Sequence, residues 1–80
     1  MLDLITATGK TFKSDYFVAL NDPPMLFLRV IGQDIDTIQT IFSDPAETSC
    51  LTYGGKAAFG YTTLHSISRE GDALKVTLMK

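Results

Sequence analysis

The sequence has a single cysteine, few basic residues and no long apolar run, and each scarcity excludes a class of protein. Because Cys50 is alone, no disulfide can form within the chain, and nothing indicates an oxidising compartment. One cysteine and one histidine, His65, cannot supply the four ligands that a structural zinc ion takes. The longest apolar run, Met25–Leu28, is far shorter than the roughly 20 residues needed to cross a bilayer. We therefore predict no disulfide, no metal site and no transmembrane helix.

Positive charge is too scarce for a general nucleic-acid-binding protein. Seven Lys and Arg face nine Asp and Glu, which gives a net charge of −2 and a pI near 5.0. The bases are also scattered along the chain, whereas nucleic-acid-binding surfaces concentrate them. Five acids share the middle of the chain with Arg29 as their only basic neighbour: Asp22, Asp34, Asp36, Asp44 and Glu47. That stretch is interpreted either as a solvated acidic rim or as a surface for a basic partner.

The chain is short and unusually apolar. Eighty residues suffice for one domain, predicted over residues 1–80. Hydrophobic residues make up 45% of it and the mean hydropathy is +0.14, which favours an apolar surface covered by another subunit. The first ten residues lack the basic and apolar segments of a secretory signal peptide, so we expect a cytoplasmic protein.

Alternation of apolar and polar residues predicts about six β-strands. Turn residues separate them, including Asn21-Asp22-Pro23-Pro24 and the Gly54-Gly55 pair, which suits a two-residue hairpin turn. The first two strands are expected to form a hairpin, and the last three a meander with a bulge near residues 60–63. The six predicted strands are Leu2–Thr6, Thr11–Leu20, Met25–Ile31, Cys50–Tyr53, Ala57–Ile67 and Leu74–Leu78.

One short helix is predicted between the third and fourth strands. Asp34 is a plausible N-cap, and the apolar residues Ile35, Ile38, Ile41 and Phe42 fall on one helical stripe. These residues are β-branched or aromatic, so intrinsic helix propensity is poor. A strand is the alternative for this segment, because Ile35 and Ile41 also fit other spacings. Asp44-Pro45-Ala46-Glu47 has the pattern of a second capped turn.

These elements predict an α+β domain of mainly antiparallel strands with one short helix. The pattern leaves open whether the sheet stays open against the helix or curls into a small roll or barrel.

No motif with catalytic or cofactor chemistry stands out. Gly9-Lys10-Thr11 matches only the end of a phosphate-binding loop, since Leu4 occupies the position of the first glycine. His65 has no nucleophile signature around it, and Cys50 has no basic sequence neighbour to lower its pKa. Asp34-Ile35-Asp36 lacks the remaining ligands of a calcium loop. We predict no catalytic residue, no cofactor and no small-molecule ligand.

The strand Met25–Ile31 is the most informative segment. Leu26, Leu28 and Val30 point to one face, and both faces carry apolar side chains. Arg29 either extends from a sheet edge towards water or lies in a subunit contact, paired with an acid such as Asp15, Asp34 or Asp36. The predicted interface residues are Met25, Phe27, Arg29 and Ile31.

Several stretches, all turn and core features, resemble short uncharacterised proteins encoded by tailed phages and by prophages of Gram-positive bacteria. The stretches are Thr8–Phe12, Pro24–Val30 with Gly32, Ile41–Thr48, Leu51–Gly54, Gly60–Thr62 and Gly71–Val76. The resemblance implies a phage-derived protein in the host cytoplasm or associated with the virion.

Three functions follow as hypotheses. The first is a non-enzymatic structural or assembly protein that acts as a homo-oligomer or with another phage protein. The alternative is a small binding module that engages a host or phage protein, through an open sheet edge or through the acidic middle. An enzyme is the third and least favoured.

Overall fold

The computed structural model describes all residues from Met1 to Lys80, and they form eight strands and two short helices. Every paired strand is antiparallel, in two four-stranded sheets with the orders β2-β1-β5-β6 and β3-β4-β8-β7. The elements are β1 (Leu2–Ile5), β2 (Thr11–Ser14), β3 (Tyr16–Asn21), β4 (Pro24–Ile31), α1 (Ile35–Phe42), α2 (Pro45–Thr48), β5 (Cys50–Tyr53), β6 (Lys56–Phe59), β7 (Thr63–Glu70) and β8 (Ala73–Met79).

The predicted fold of six strands and one helix, with an open sheet, roll or barrel, is wrong, because two predicted strands are each broken into two. The predicted strand Thr11–Leu20 bends at Asp15, so that its first half pairs with β1 and its second half with β4. The buried Ser14 side chain fixes this corner. Its hydroxyl donates to the carbonyl of Tyr16 (3.1 Å) and accepts from the Tyr16 amide (3.4 Å).

The second break follows β6. Gly60 has a φ of +80°, which strand residues do not adopt, and its amide donates to the carbonyl of Ser49 (3.1 Å). The chain therefore leaves the first sheet and re-enters the second as β7. The expected bulge exists, but it lies between Leu64 and Ser66, later than predicted.

Other local predictions are confirmed. β1 and β2 form the first hairpin, and Gly54 and Gly55 form the two-residue turn between β5 and β6 with φ of +55° and +85°. The helix prediction also holds, since the Asp34 carboxylate accepts from the Thr37 amide at the start of α1 (3.2 Å). The second capped turn is α2, whose cap is Asp44.

One hydrophobic core contains side chains from both sheets and from α1. Leu4 and Leu51 come from the first sheet, Leu28 and Val76 from the second, and Phe42 from the helix. All five have no exposed surface. Neither helix has the length and apolar character that crossing a bilayer requires.

A buried carboxylate ties α2 to the β1–β2 turn. Glu47 is only 4% exposed and accepts from the hydroxyls of Thr6 (2.8 Å) and Thr8 and from the Lys10 ammonium. Its backbone carbonyl accepts from the amide of Ala7 (2.9 Å). Hydrogen bonds from Lys10 and Thr8 lower the pKa of Glu47 to about 2, against the smaller opposing effect of burial.

Candidate protein interaction site

The second sheet has one face against the core and one face turned away from it, here called the outer face. Alternation along β4 decides which side chains belong to each, because Leu26, Leu28 and Val30 are fully buried. The residues between them are half-buried on the outer face. Eleven side chains of β3, β4 and β8 form the outer face: Tyr16, Val18, Leu20, Met25, Phe27, Arg29, Ile31, Ala73, Lys75, Thr77 and Met79.

Cross-strand registers arrange the outer face in rows. One row joins Leu20, Met25 and Met79 and is entirely apolar. The next joins Val18, Phe27 and Thr77. Side chains directly opposite each other on paired strands lie within contact distance, and diagonal neighbours in the next row lie within reach of long side chains. The two rows therefore form a continuous patch.

The exposed part of this patch lies on β3. Tyr16 is 47% exposed, Val18 37% and Leu20 42%. Single exposed apolar residues are ordinary, whereas a contiguous exposed group indicates an interaction site. Together with Phe27 and the charged residues described next, these side chains line a shallow depression of about 560 Å³.

The third row contains charged side chains and lies at the border of the apolar patch. It joins Tyr16, Arg29 and Lys75. The guanidinium of Arg29 donates twice to Asp15, at 3.0 and 2.6 Å, and once to Glu70, at 3.3 Å. Glu70 also lies 3.9 Å from the Lys75 ammonium, so two acids and two bases form one network.

The network changes the acid–base properties of its central pair. The side-chain hydrogen bonds from Arg29 lower the pKa of Asp15, and the same bonds raise the pKa of Arg29. Both groups therefore remain charged at neutral pH. Since both side chains are about one-third exposed, the pair orients Arg29 more than it stabilises the fold.

The four predicted interface residues lie together. Met25, Phe27, Arg29 and Ile31 all lie on the outer face of β4, and each is half-buried. Of the acids proposed as partners for Arg29, Asp15 is the one the structure pairs with it. Whether these residues form an interface stays a prediction.

Sequence reasoning missed the exposed half of the patch. Tyr16, Val18 and Leu20 recur with the two-residue period of a strand face, and that period was the available signal. The predicted single strand Thr11–Leu20 joins this segment to β2 and so hides where the second sheet begins.

The structure separates the side chains considered for catalysis. His65 is exposed in β7, at the bulge, whereas Cys50 is half-buried in β5 of the other sheet. Lys10 of the phosphate-loop fragment is bound to Glu47, and Asp34 caps α1. No group of three or more His, Cys, Asp or Glu side chains is placed to hold a metal ion.

Comparison with known proteins gives no match: no protein-family model, no curated protein and no solved structure is similar to this chain at a significant level.

Proposed function

We propose that this protein is a non-catalytic structural subunit that associates with copies of itself through the outer face of the second sheet. The exposed apolar group on β3, continuous with the half-buried apolar side chains of β4, carries the proposal. Burying that surface against an equivalent surface removes apolar area from water, at about 25 cal/mol per Å².

The charges at the edge of the outer face favour a second copy as the occupant. Asp15 and Glu70 are balanced by Arg29 and Lys75, so the network has no excess of either sign that would select an acidic or a basic partner. In a two-fold contact, each acid of one copy can approach a base of the other. The aromatic side chains of Tyr16 and Phe27, with Arg29 beside them, match the composition of protein interfaces.

The shape of the outer face suits the same arrangement. Antiparallel sheets pack face to face about 10 Å apart with their strands within about 30° of each other. The two apolar rows provide side chains for such packing, and the shallow depression accepts side chains from the facing copy. The role is proposed as non-catalytic because no catalytic motif surrounds His65 or Cys50 in the sequence.

A place in a phage particle or in its assembly is the specific form of this proposal that the sequence resemblance suggests. Phage origin stays a prediction, since no matching protein was found that would test it.

Light scattering across a tenfold concentration range tests the proposal. We expect a dimer, with twice the 8.8 kDa mass of the chain, and we expect Leu20→Lys to give a folded monomer. Lysine there adds a charge to the exposed end of an apolar row and leaves the core unchanged, because Leu20 is exposed on an edge strand.

Phe59→Lys is the matched control. Phe59 is the more exposed of the two, at 64%, but it belongs to β6 of the other sheet. The control protein should remain a dimer. A wild-type protein that is monomeric at every concentration would refute the proposal, as would a Leu20→Lys protein that dimerises as strongly as the control.

A further inference from the structure

β3 is an edge strand that lacks the protection found on the other edges. It hydrogen-bonds to β4 along one side, and no strand pairs with its other side. Its six residues, Tyr16–Asn21, contain no charged residue and no proline. Exposed strand edges of this kind pair readily with another extended chain, which is why natural edges carry lysine, proline or a bulge.

The remaining three edge strands show such devices. β2 contains Lys13, β6 is only four residues long and begins with Lys56, and β7 carries a bulge and the charged pair Arg69 and Glu70. β3 is therefore the one edge of this protein that is both uncharged and regular.

A groove lies beside this edge, and its opposite wall is another edge strand. The β3–β6 groove has a volume of about 350 Å³ and is lined by Phe17, Val18, Ala19, Lys56, Ala57 and Ala58. β3 and β6 belong to different sheets and do not pair with each other. Three of the six lining residues are alanine, so the walls leave room for an approaching backbone.

The charged group in the groove is the Lys56 ammonium, and no acidic side chain of the same chain pairs with it. Lys10, Lys13 and Lys75 each have an acidic partner, and the Lys80 ammonium lies over the ring of Tyr61, 5.1 Å from its centroid. Lys56 has neither kind of contact. Its ammonium is free to pair with an acidic side chain of a bound segment.

We propose that the β3–β6 groove binds an extended segment of another protein as an added strand. The backbone of the segment pairs with the open edge of β3. Its side chains towards the groove are small or apolar, opposite the alanines, and one acidic residue lies at Lys56. Leu20 separates this proposal from self-association, because it lines the depression of the outer face and not the groove, whereas Val18 lines both.

Three capped seven-residue peptides test the proposal by NMR titration of the ¹⁵N-labelled full chain. The first alternates valine and threonine with a central glutamate, the second has lysine in place of the glutamate, and the third keeps the glutamate but has two prolines. We expect the first peptide to shift the amide signals of Tyr16–Asn21 and Lys56–Phe59. The third should not bind, since proline lacks the amide hydrogen that a strand ladder requires.

The charge preference is tested by exchange of the groove lysine. The glutamate peptide should bind wild type about three- to tenfold more tightly than the lysine peptide, the range expected for an exposed ion pair against a like-charge contact. Lys56→Glu should reverse the preference, and Leu20→Lys should leave it unchanged. Lys56 is exposed at the start of a four-residue strand, so its replacement should not impair folding.

Four results would overturn the proposal. They are no shift at millimolar peptide, equal binding of the proline peptide, shifts centred on Phe27 and Thr77 of the outer face, and a preference that Lys56→Glu does not change. A fifth result would also contradict it: signals of Lys56–Phe59 that move with protein concentration in the absence of peptide would assign the groove to a second copy of the chain, since β6 is not part of the outer face.

Discussion

Phe42→Ala should lower the free energy of unfolding by about 3–5 kcal/mol, the usual cost of removing a fully buried phenylalanine side chain. Phe42 has no exposed surface and packs near Phe12, with 6.2 Å between the ring centroids. Because α1 consists of only eight residues, packing rather than helix propensity keeps it in place. Loss of the Phe42 ring therefore both leaves a cavity and releases the helix.

The total stability makes this effect large. A chain of this length is expected to have about 4–12 kcal/mol of stability in all, so the loss removes a large fraction of the free energy of unfolding. Urea denaturation followed by circular dichroism, at one fixed protein concentration, measures the change.

Phe59→Ala is the control for loss of an aromatic ring. Phe59 is 64% exposed, so its removal should change the free energy of unfolding by no more than about 0.5 kcal/mol. Similar losses in the two variants would contradict the core packing described above.

Glu47→Gln should lower the melting temperature at pH 7 by on the order of 5 °C or more. The amide keeps the shape of the side chain but cannot form the ion pair with Lys10. When its oxygen takes the place of Oε1, which accepts from both hydroxyls, its NH₂ group faces the Lys10 ammonium, and two donors oppose each other. The link between α2 and the β1–β2 turn is thereby weakened.

The pH dependence identifies the carboxylate as the cause. The pKa of Glu47 falls from its usual 4.5 to about 2 in the folded protein, so the folded state binds the proton less tightly than the unfolded state. The contribution is fully present above about pH 4.5 and is lost as the pH falls towards 2. The difference in melting temperature between wild type and Glu47→Gln should therefore shrink between pH 4.5 and pH 2.

Asp36→Asn is the control for this change. It replaces a carboxylate by an amide at an exposed position of α1 that has no salt bridge. A difference between wild type and Glu47→Gln that stays constant from pH 7 to pH 2 would show that the network is not held by an ionised Glu47.

Local chemistry made much of the fold predictable. Asp34 and Asp44 marked the starts of both helices because a carboxylate satisfies free amides at a helix N-terminus. Gly54-Gly55 marked a hairpin because both turn positions need positive φ. The placement of Leu26, Leu28 and Val30 on one face followed from the two-residue period of a strand.

The division into two sheets was not predictable in the same way. Asp15 is unremarkable in the sequence, and the irregularity expected at residues 60–63 predicts a bulge rather than a change of sheet. The bends at Asp15 and Gly60 depend on which strands lie beside them. The hydroxyl of Ser14 and the carbonyl of Ser49 hold these bends through hydrogen bonds that only the folded chain creates. A pattern of apolar residues continues through both points, so periodicity alone predicts one strand where there are two.

The candidate site was likewise predictable from the sequence only in part. Periodicity placed Met25, Phe27, Arg29 and Ile31 on one face, which needed only the conformation of β4. The neighbours that complete the site depend on register between distant segments, since Arg29 lies 41 residues from Glu70. The open edge of β3 likewise became visible only when the strand order was known.

The central position of β8 determines when this protein can fold during its synthesis. Ala73–Met79 lies between β4 and β7 in the second sheet. In the first sheet, β1 cannot pair with β5 until β5 has been synthesised, since Leu4 lies opposite Tyr53. Until β8 has left the ribosome, β4 lacks one of its two neighbours and the apolar side chains of Leu26, Leu28 and Val30 remain uncovered. Non-local pairings of this kind make folding slow, so the nascent chain passes through a stage at which chaperones have an apolar strand to bind.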